Sequence, residues 1–260
     1  MQVEDKVIVV TGAAHGIGRA LCERFQKQGA RCVVVADIDE EAAREVAAAI
    51  DGHSIRCDVS SERDIFHLVE QTEAIAGGID LFCSNAGVFY PDAISGRASS
   101  TPDHLWQRAW QINVMAHVYA ARACVPGMLA RGGGHFLNTI SAAGLLTQVD
   151  AAVYATTKHA AVGFAESLAI THRDQGIGVS MLCPQGVDTE MLRHTGERGH
   201  PILAREGILT PEQVAEIALD GLMKDAFLIL THPRVATYMQ NKAADYDRWI
   251  VQLAKLRRSA

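Results

Sequence analysis

Residues 6–20 read KVIVVTGAAHGIGRA. The stretch opens on a β-branched apolar run at 6–11, crosses three glycines in seven residues, and enters a segment with helical spacing at 17–28. β-Branched side chains fit a pleated strand, and unbroken apolarity suits a strand covered on both faces. The pattern then recurs. Further strand candidates lie at 31–37, 54–58, 80–85, 134–141, 178–184 and 227–231, with helical segments at 39–50, 61–76, 103–131, 153–174 and 211–224 between them. Strict alternation of strand and helix predicts the α/β class, a doubly wound parallel sheet of about seven strands. Right-handed crossovers then place helices on both faces. No linker or repeat interrupts residues 1–260, which read as one domain.

The turn TGAAHGIG, Thr11–Gly18, sits between the first strand and the first helix. In a Rossmann-type sheet a dinucleotide pyrophosphate rests there, against the helix N-terminus. Gly12 makes the tight turn, Gly16 lets the backbone approach phosphate, and Gly18 lets helix pack on strand. Ile17 belongs to the same turn, and His15 adds positive character if protonated. The spacing is TGxxxGxG rather than GxGxxG. The rival reading is a tight turn without a ligand. Asp37 ends the second strand, nineteen positions beyond Gly18. An acid at that distance bonds a ribose 2′-hydroxyl and repels a 2′-phosphate, so the expected cofactor is NAD rather than NADP. Asp39 fits the N-cap of the following helix, which leaves Asp37 free.

Farther on, Tyr154 and Lys158 stand four residues apart in VYATTKHAA, on one face of a helix. A lysine cation at ~4 Å and an effective dielectric of ~20 favours the phenolate by roughly 4 kcal/mol, about three pK units. That brings a tyrosine, ordinarily titrating at ~10, into reach as a general base or acid. Ser141, near the end of the fifth strand, lies on the ligand-binding edge of such a sheet and can hold a substrate oxygen. Asn113 falls inside the 103–131 helix, where asparagine is a poor fit. It reads either as a satisfied polar residue at a kink or as the group that orders a water linking Lys158 to solvent.

With these motifs in order, the chain resembles the short-chain dehydrogenase/reductase family, in its compact single-domain branch, over about residues 4–231. The carriers are TGAAHGIG at 11–18, CDV at 57–59, NAG at 85–87, Asn113, Ser141, YATTK at 154–158 and PQGVDTEM at 184–191. The resemblance implies Asn113, Ser141, Tyr154 and Lys158 as a catalytic tetrad, with Lys158 also on the nicotinamide ribose. It implies Asp58 on the adenine amino group with Val59 beside it, and Asn85, Ala86 and Gly87 lining the cofactor. Pro184, Val187 and Thr189 would hold the nicotinamide end. Two positions depart from the family pattern: Ser84 replaces an asparagine before NAG, and Gln185 separates Pro184 from Gly186. The implied assembly is a homo-oligomer, a dimer or tetramer, through the 103–131 and 153–174 helices.

Other chemistries are poorly served. Net charge is -6, which gives no basic surface for nucleic acid. Six scattered cysteines make no CxxC and no zinc spacing, and read as reduced thiols in a cytoplasmic protein. The N-terminus reads as neither signal peptide nor anchor, and no run approaches a membrane span. TISAAG is not GxSxG, and no HExxH or clustered carboxylates suggest a metal. His15, His104, His117, His135 and His159 read as surface or core residues. An intact tetrad argues against a non-catalytic NAD-binding regulator or scaffold. TGxxGxxG and a large C-terminal domain, expected of a sugar-nucleotide epimerase, are both missing.

The substrate is expected to be a hydrophobic secondary alcohol or ketone. Its pocket should be framed by residues 142–149, by 89–94 and by a loop at 190–209, with Leu145, Leu146, Val149 and Met191 apolar and Gln148 polar. Arg193, Arg198 and Arg205 are the charges that would instead suit an anion. A tail at 233–258 carries a helical apolar stripe. Tyr246, Trp249 and Ile250 must be buried, either on the same domain or against a neighbouring subunit.

Overall fold

The computed structural model describes residues 1–194 and 207–259. Its seven strands are β1 Val7–Thr11, β2 Cys32–Asp37, β3 His53–Arg56, β4 Leu81–Ser84, β5 Gly134–Thr139, β6 Ile177–Cys183 and β7 Leu228–Leu230. All pair in parallel, in the order β3-β2-β1-β4-β5-β6-β7. The order reverses between β1 and β4, and ligands of such sheets bind beyond the strand ends at that switch.

Alternation along each strand divides the core into two layers. Ile8, Val10, Val33, Val35 and Leu137 face α1 (Gly16–Lys27), α2 (Glu40–Ala49) and α8 (Pro211–Met223), meeting Phe25, Val46 and Leu222. Val9, Val34, Phe82 and Phe136 face α3 (Glu62–Ala76), α5 (Ala116–Ala130) and α6 (Ala152–His172), meeting Leu68, Met128 and Ala165. Buried on both sides, the strands need the continuous apolarity their sequence shows. Helix starts follow local chemistry. Asp39 caps α2 by accepting from Ala42 N, and Ser61 caps α3 by accepting from Asp64 N. Thr210 and Gln213 form a reciprocal capping box on α8.

Two expectations are corrected. The 103–131 helix is two helices, α4 (Asp103–Trp110) and α5, joined by a π-turn at Gln111–Met115. Asn113 is its middle residue, and its amide leaves the helix pattern to bond elsewhere. The 190–209 segment, expected as a loop with room for one short helix, begins as α7 (Glu190–His194), and residues 195–206 lie outside the described residues. The tail is two helices, α9 (Arg234–Ala244) and α10 (Tyr246–Ser259), broken at Asp245, which caps α10 through Arg248 N. It packs on its own domain: Val235 is fully buried, with Tyr238, Met239 and Trp249 against Leu145 and Leu146. Of the two coverings expected for the tail, its own domain accounts for Trp249, whereas Tyr246 and Ile250 stay exposed on the single chain because α10 touches the domain along one narrow stripe.

Candidate active site

At the switch point a cleft of about 450 Å³ opens beyond the ends of β1, β4, β5 and β6. All but two of the residues expected to bind the cofactor or to act in catalysis line it; Gly18 and Asn113 stand behind its wall. Gly12 has φ +61, and a Cβ there would lie 2.7 Å from Ala86 Cα. A Cβ on Gly18 would lie 2.1 Å from Gly12 O, so the helix packs on the turn only through glycine. Asn85 fastens this turn to β4, its Nδ2 donating to Thr11 O at 3.1 Å and Gly12 O at 3.2 Å. Its side chain is thus a strut within the cofactor wall.

Asp37 is not free, as the sequence suggested. Its Oδ2 accepts from Ala14 N and its Oδ1 from Asp39 N, both at 3.0 Å. A carboxylate has about four lone-pair sites, so Asp37 stiffens the turn and still has capacity facing the cleft. His15 Nε2 leans 3.5 Å from Asp39 Oδ2, at the start of α2. Asp58 accepts from Ser60 Oγ at 2.7 Å and Ser60 N at 3.0 Å, with Arg108 3.6 Å away. Burial pushes its carboxyl up, but these donors outweigh it and the net shift is down.

Arg108 is a cleft residue that sequence reasoning missed. It reaches from α4 to donate to Ser60 Oγ at 3.0 Å, across 48 positions of chain, and no local pattern announces such a contact.

The other end of the cleft gathers Ser141, Tyr154 and Lys158. Lys158 is 3% exposed, and its Nζ lies 5.6 Å from the Tyr154 ring centroid, donating to Thr139 O at 3.3 Å. Burial lowers its pKa to about 8. The lysine is therefore still mainly a cation at neutral pH, but closer to its titration than a solvated lysine. Phe89 backs the Tyr154 ring at 4.8 Å. Ser141 leaves the end of β5, accepts from Ala143 N at 3.1 Å and donates to Pro184 O at 3.4 Å.

Asn113 is fully buried. Its Oδ1 accepts from Val88 N at 2.9 Å, and its Nδ2 donates to Val88 O and Thr157 Oγ1, both at 3.0 Å. Thr157 in turn donates to Tyr154 O at 3.0 Å. The side chain is a satisfied brace between the β4 loop and the start of α6. Thr189 caps α7 through Leu192 N at 3.4 Å and packs its methyl against Gly16.

The substrate wall differs from expectation. Phe89, Gln148, Met191 and Leu192 line the cleft, but Leu145 and Leu146 turn outward beneath α9 and α10. Arg193 pairs with Asp188 at 3.2 Å; Arg198 and Arg205 lie outside the described residues. Among the described residues no cluster could hold a metal and no helix is long and apolar enough to cross a membrane. All six cysteines are free thiols.

Comparison with known proteins bears on this geometry. The family model for short chain dehydrogenase matches residues 6–199. A 1-deoxy-11-beta-hydroxypentalenate dehydrogenase of Streptomyces exfoliatus is 32% identical over 96% of this chain and 91% of its own. A 17-beta-hydroxysteroid dehydrogenase 13 of Rattus norvegicus is 31% identical over 87% of this chain and 75% of its own. A crystal structure of a short chain dehydrogenase/reductase from Burkholderia phymatum in complex with NAD superimposes with a TM-score of 0.86. It is 27% identical and covers 95% of this chain and 96% of its own. By these matches the chain belongs to the short-chain dehydrogenase/reductase family of oxidoreductases.

Proposed function

We propose that the protein is an NAD-dependent dehydrogenase or ketoreductase of hydrophobic secondary alcohols and ketones, with Tyr154 as general acid and base. The observation that carries this reading is the convergence of Ser141, Tyr154 and buried Lys158 on the cleft whose other end is the glycine turn. The residues fit a dinucleotide. Gly12 and Gly16 leave the backbone open at the N-terminus of α1, and Asp37 faces the cleft where a 2′-hydroxyl is welcome and a 2′-phosphate is not. Bound NAD supplies the hydride acceptor for alcohol oxidation.

The chain's own residues manage the proton. Ser141 Oγ orients the substrate oxygen and stabilises charge on it. Tyr154 Oη takes the hydroxyl proton as the carbonyl forms, and returns one in the reductive direction. Lys158 makes the phenolate cheaper by its charge, and Thr139 O holds the ammonium in place. Asn113 fixes the first turn of α6, and so the height of Tyr154, through Thr157.

Phe89, Met191 and Leu192 supply an apolar wall with Gln148 as its polar contact. The names of the hydroxysteroid and hydroxypentalenate dehydrogenases agree with a hydrophobic alcohol. A homo-oligomer, dimer or tetramer, is part of the reading. Trp110, Leu129 and Ile170 expose apolar surface on α4, α5 and α6, with Ile170 81% exposed. A reducing cytoplasmic setting fits the six free thiols.

The test is absorbance of reduced nicotinamide with a panel of apolar secondary alcohols and ketones, NAD and NADP forms in parallel. Turnover is expected with NAD, falling at least about 1,000-fold in Tyr154→Phe. Equal turnover in that variant would remove Tyr154 from the chemistry, and faster turnover with NADP would overturn the role of Asp37.

A further inference from the structure

Behind the catalytic cluster lies a group of buried polar side chains that the proposed proton transfer does not use. His117 sits on α5, four residues after Asn113, and is 2% exposed. Neither ring nitrogen meets a protein group with hydrogen-bond geometry. The ring faces Asn138 on β5, whose amide stands close enough to favour its protonated form without completing a bond. Asn138 pairs in register with Ser84 on β4, and both are buried on the sheet face that carries α5 and α6. Lys158 enters the same layer from α6, and it is the charge that acts on the ring.

A buried imidazole with two idle nitrogens is costly, because each lost its water without replacement. Buried waters meet this need, bonding about three otherwise unsatisfied groups each. Lys158 has a matching need. Its ammonium carries three donors, and among the described residues its hydrogen-bond acceptor is the Thr139 carbonyl.

We propose that His117 is a positioning residue for Lys158, acting through a buried water held between its imidazole and the Asn138 amide. The inference rests on the acid–base reading of Tyr154 and Lys158. The ring suits the role because it stays neutral: burial first, and the Lys158 charge second, lower its pKa to about 3. A neutral imidazole offers one acceptor and one donor, so it can orient a water with its oxygen toward an ammonium. The other groups facing Lys158 cannot do this. Cys183 on β6 is a thiol pushed up to about 12 by burial, Asn113 is committed to Val88 and Thr157, and Tyr154 lies on the cleft side. Without the water, Lys158 loses charge more readily, and Tyr154 loses the charge that supports its phenolate.

The experiment is a spectrophotometric titration of Tyr154, one of five tyrosines, isolated by difference against Tyr154→Phe. It needs no substrate, so it stands apart from whether turnover is found. His117→Phe is expected to raise the Tyr154 pKa by about half a unit or more, and His117→Gln to restore most of it. NADH affinity should hold in both, which separates positioning from a collapsed site. A Tyr154 titration unchanged in a folded His117→Phe protein would overturn the proposal. A crystal structure of the unaltered protein gives a second reading that needs no variant. A water within hydrogen-bond distance of both His117 and Asn138 is expected, and its absence at a resolution that shows other buried waters would sink the idea.

Discussion

The two ends of the cleft are held by different means. At the dinucleotide end the wall is backbone. Gly12 and Gly18 have no room for a Cβ, Gly16 turns at φ +50, and Asn85 and Asp37 tie the turn to β4 and to its own amides over short bonds. At the substrate end the segment that carries Gln148 into the cleft, 142–150, is strapped from outside. Thr147 and Asp150 are non-glycine residues at φ +119 and +53, conformations that persist only where surroundings impose them. Lys242 of α9 donates to Leu145 O at 2.8 Å, and Arg257 of α10 donates to Asp150 Oδ1 at 2.8 Å. Gly96 N also donates to Asp150, at 3.2 Å. One end is fixed by what a residue lacks; the other depends on side chains that arrive from a hundred residues away.

The contrast can be broken most sharply at Gly18. A methyl there collides with Gly12 O, which is backbone and cannot swing aside. Gly18→Ala is expected to weaken NADH binding about 1,000-fold, roughly 4 kcal/mol, in a nicotinamide fluorescence titration. A loss under tenfold would mean the turn is more pliant than its packing implies.

Acid should act on the half around β5 and β6 before the half around β1 and β2. His117 is held to a pKa of about 3 and His135 to about 4, each chiefly by burial. His135 bonds Ser180 across β5 and β6 at 3.0 Å. Both folded values lie below the unfolded ~6.5, so the unfolded chain binds more protons and stability falls as pH drops from about 6.5 toward 4. At pH 5 each histidine is expected to cost about 2 kcal/mol. Hydrogen exchange should show β5 and β6 opening first, and uniform opening would remove the contrast.

A smaller effect is expected at Asp37. Asp37→Ala removes acceptors for Ala14 N and Asp39 N together with the charge that disfavours a 2′-phosphate. NADH affinity should fall about tenfold, with the NADPH-to-NADH preference rising. Competitive titration of the two reduced cofactors measures it, and an unchanged preference would leave Asp37 with only its structural bonds.

The smallest effect belongs to the strap. Arg257→Leu releases Asp150, whose carboxyl the arginine's hydrogen bond holds below the usual range. The KM for an apolar ketone should rise about threefold while NADH affinity stays constant. Equal changes in both would show that the two ends are not separately held.

The same division explains which residues were legible. The turn at 11–18 could be read because tight turns and close helix packing demand glycine at fixed spacing, and Asp39 because an N-cap acts within three residues. Tyr154 and Lys158 could be read because helical pitch alone puts them on one face. Arg108 could not, since its contact to Ser60 spans 48 positions. Leu145 and Leu146 were placed in the pocket because apolar residues near a site suggest a wall. The short 3₁₀ turn at Ala142–Gly144 instead aims them at α9 and α10. Asn113 was poised between a kink residue and a water ligand. The π-turn and three bonds of its amide make its side chain a brace.

The parallel sheet, the glycine turn, the order of motifs and the spacing of the tyrosine and lysine are all written in the residue pattern. All of these follow from local stereochemistry and from periods of two or 3.6 residues. Long-range packing is what leaves Asp37 already bonded and, by burial, lowers the Lys158 pKa to about 8. It also decided that the tail folds back as two helices over its own domain. Those outcomes depend on desolvation and on contacts between distant segments, and neither is a property of any short stretch of chain.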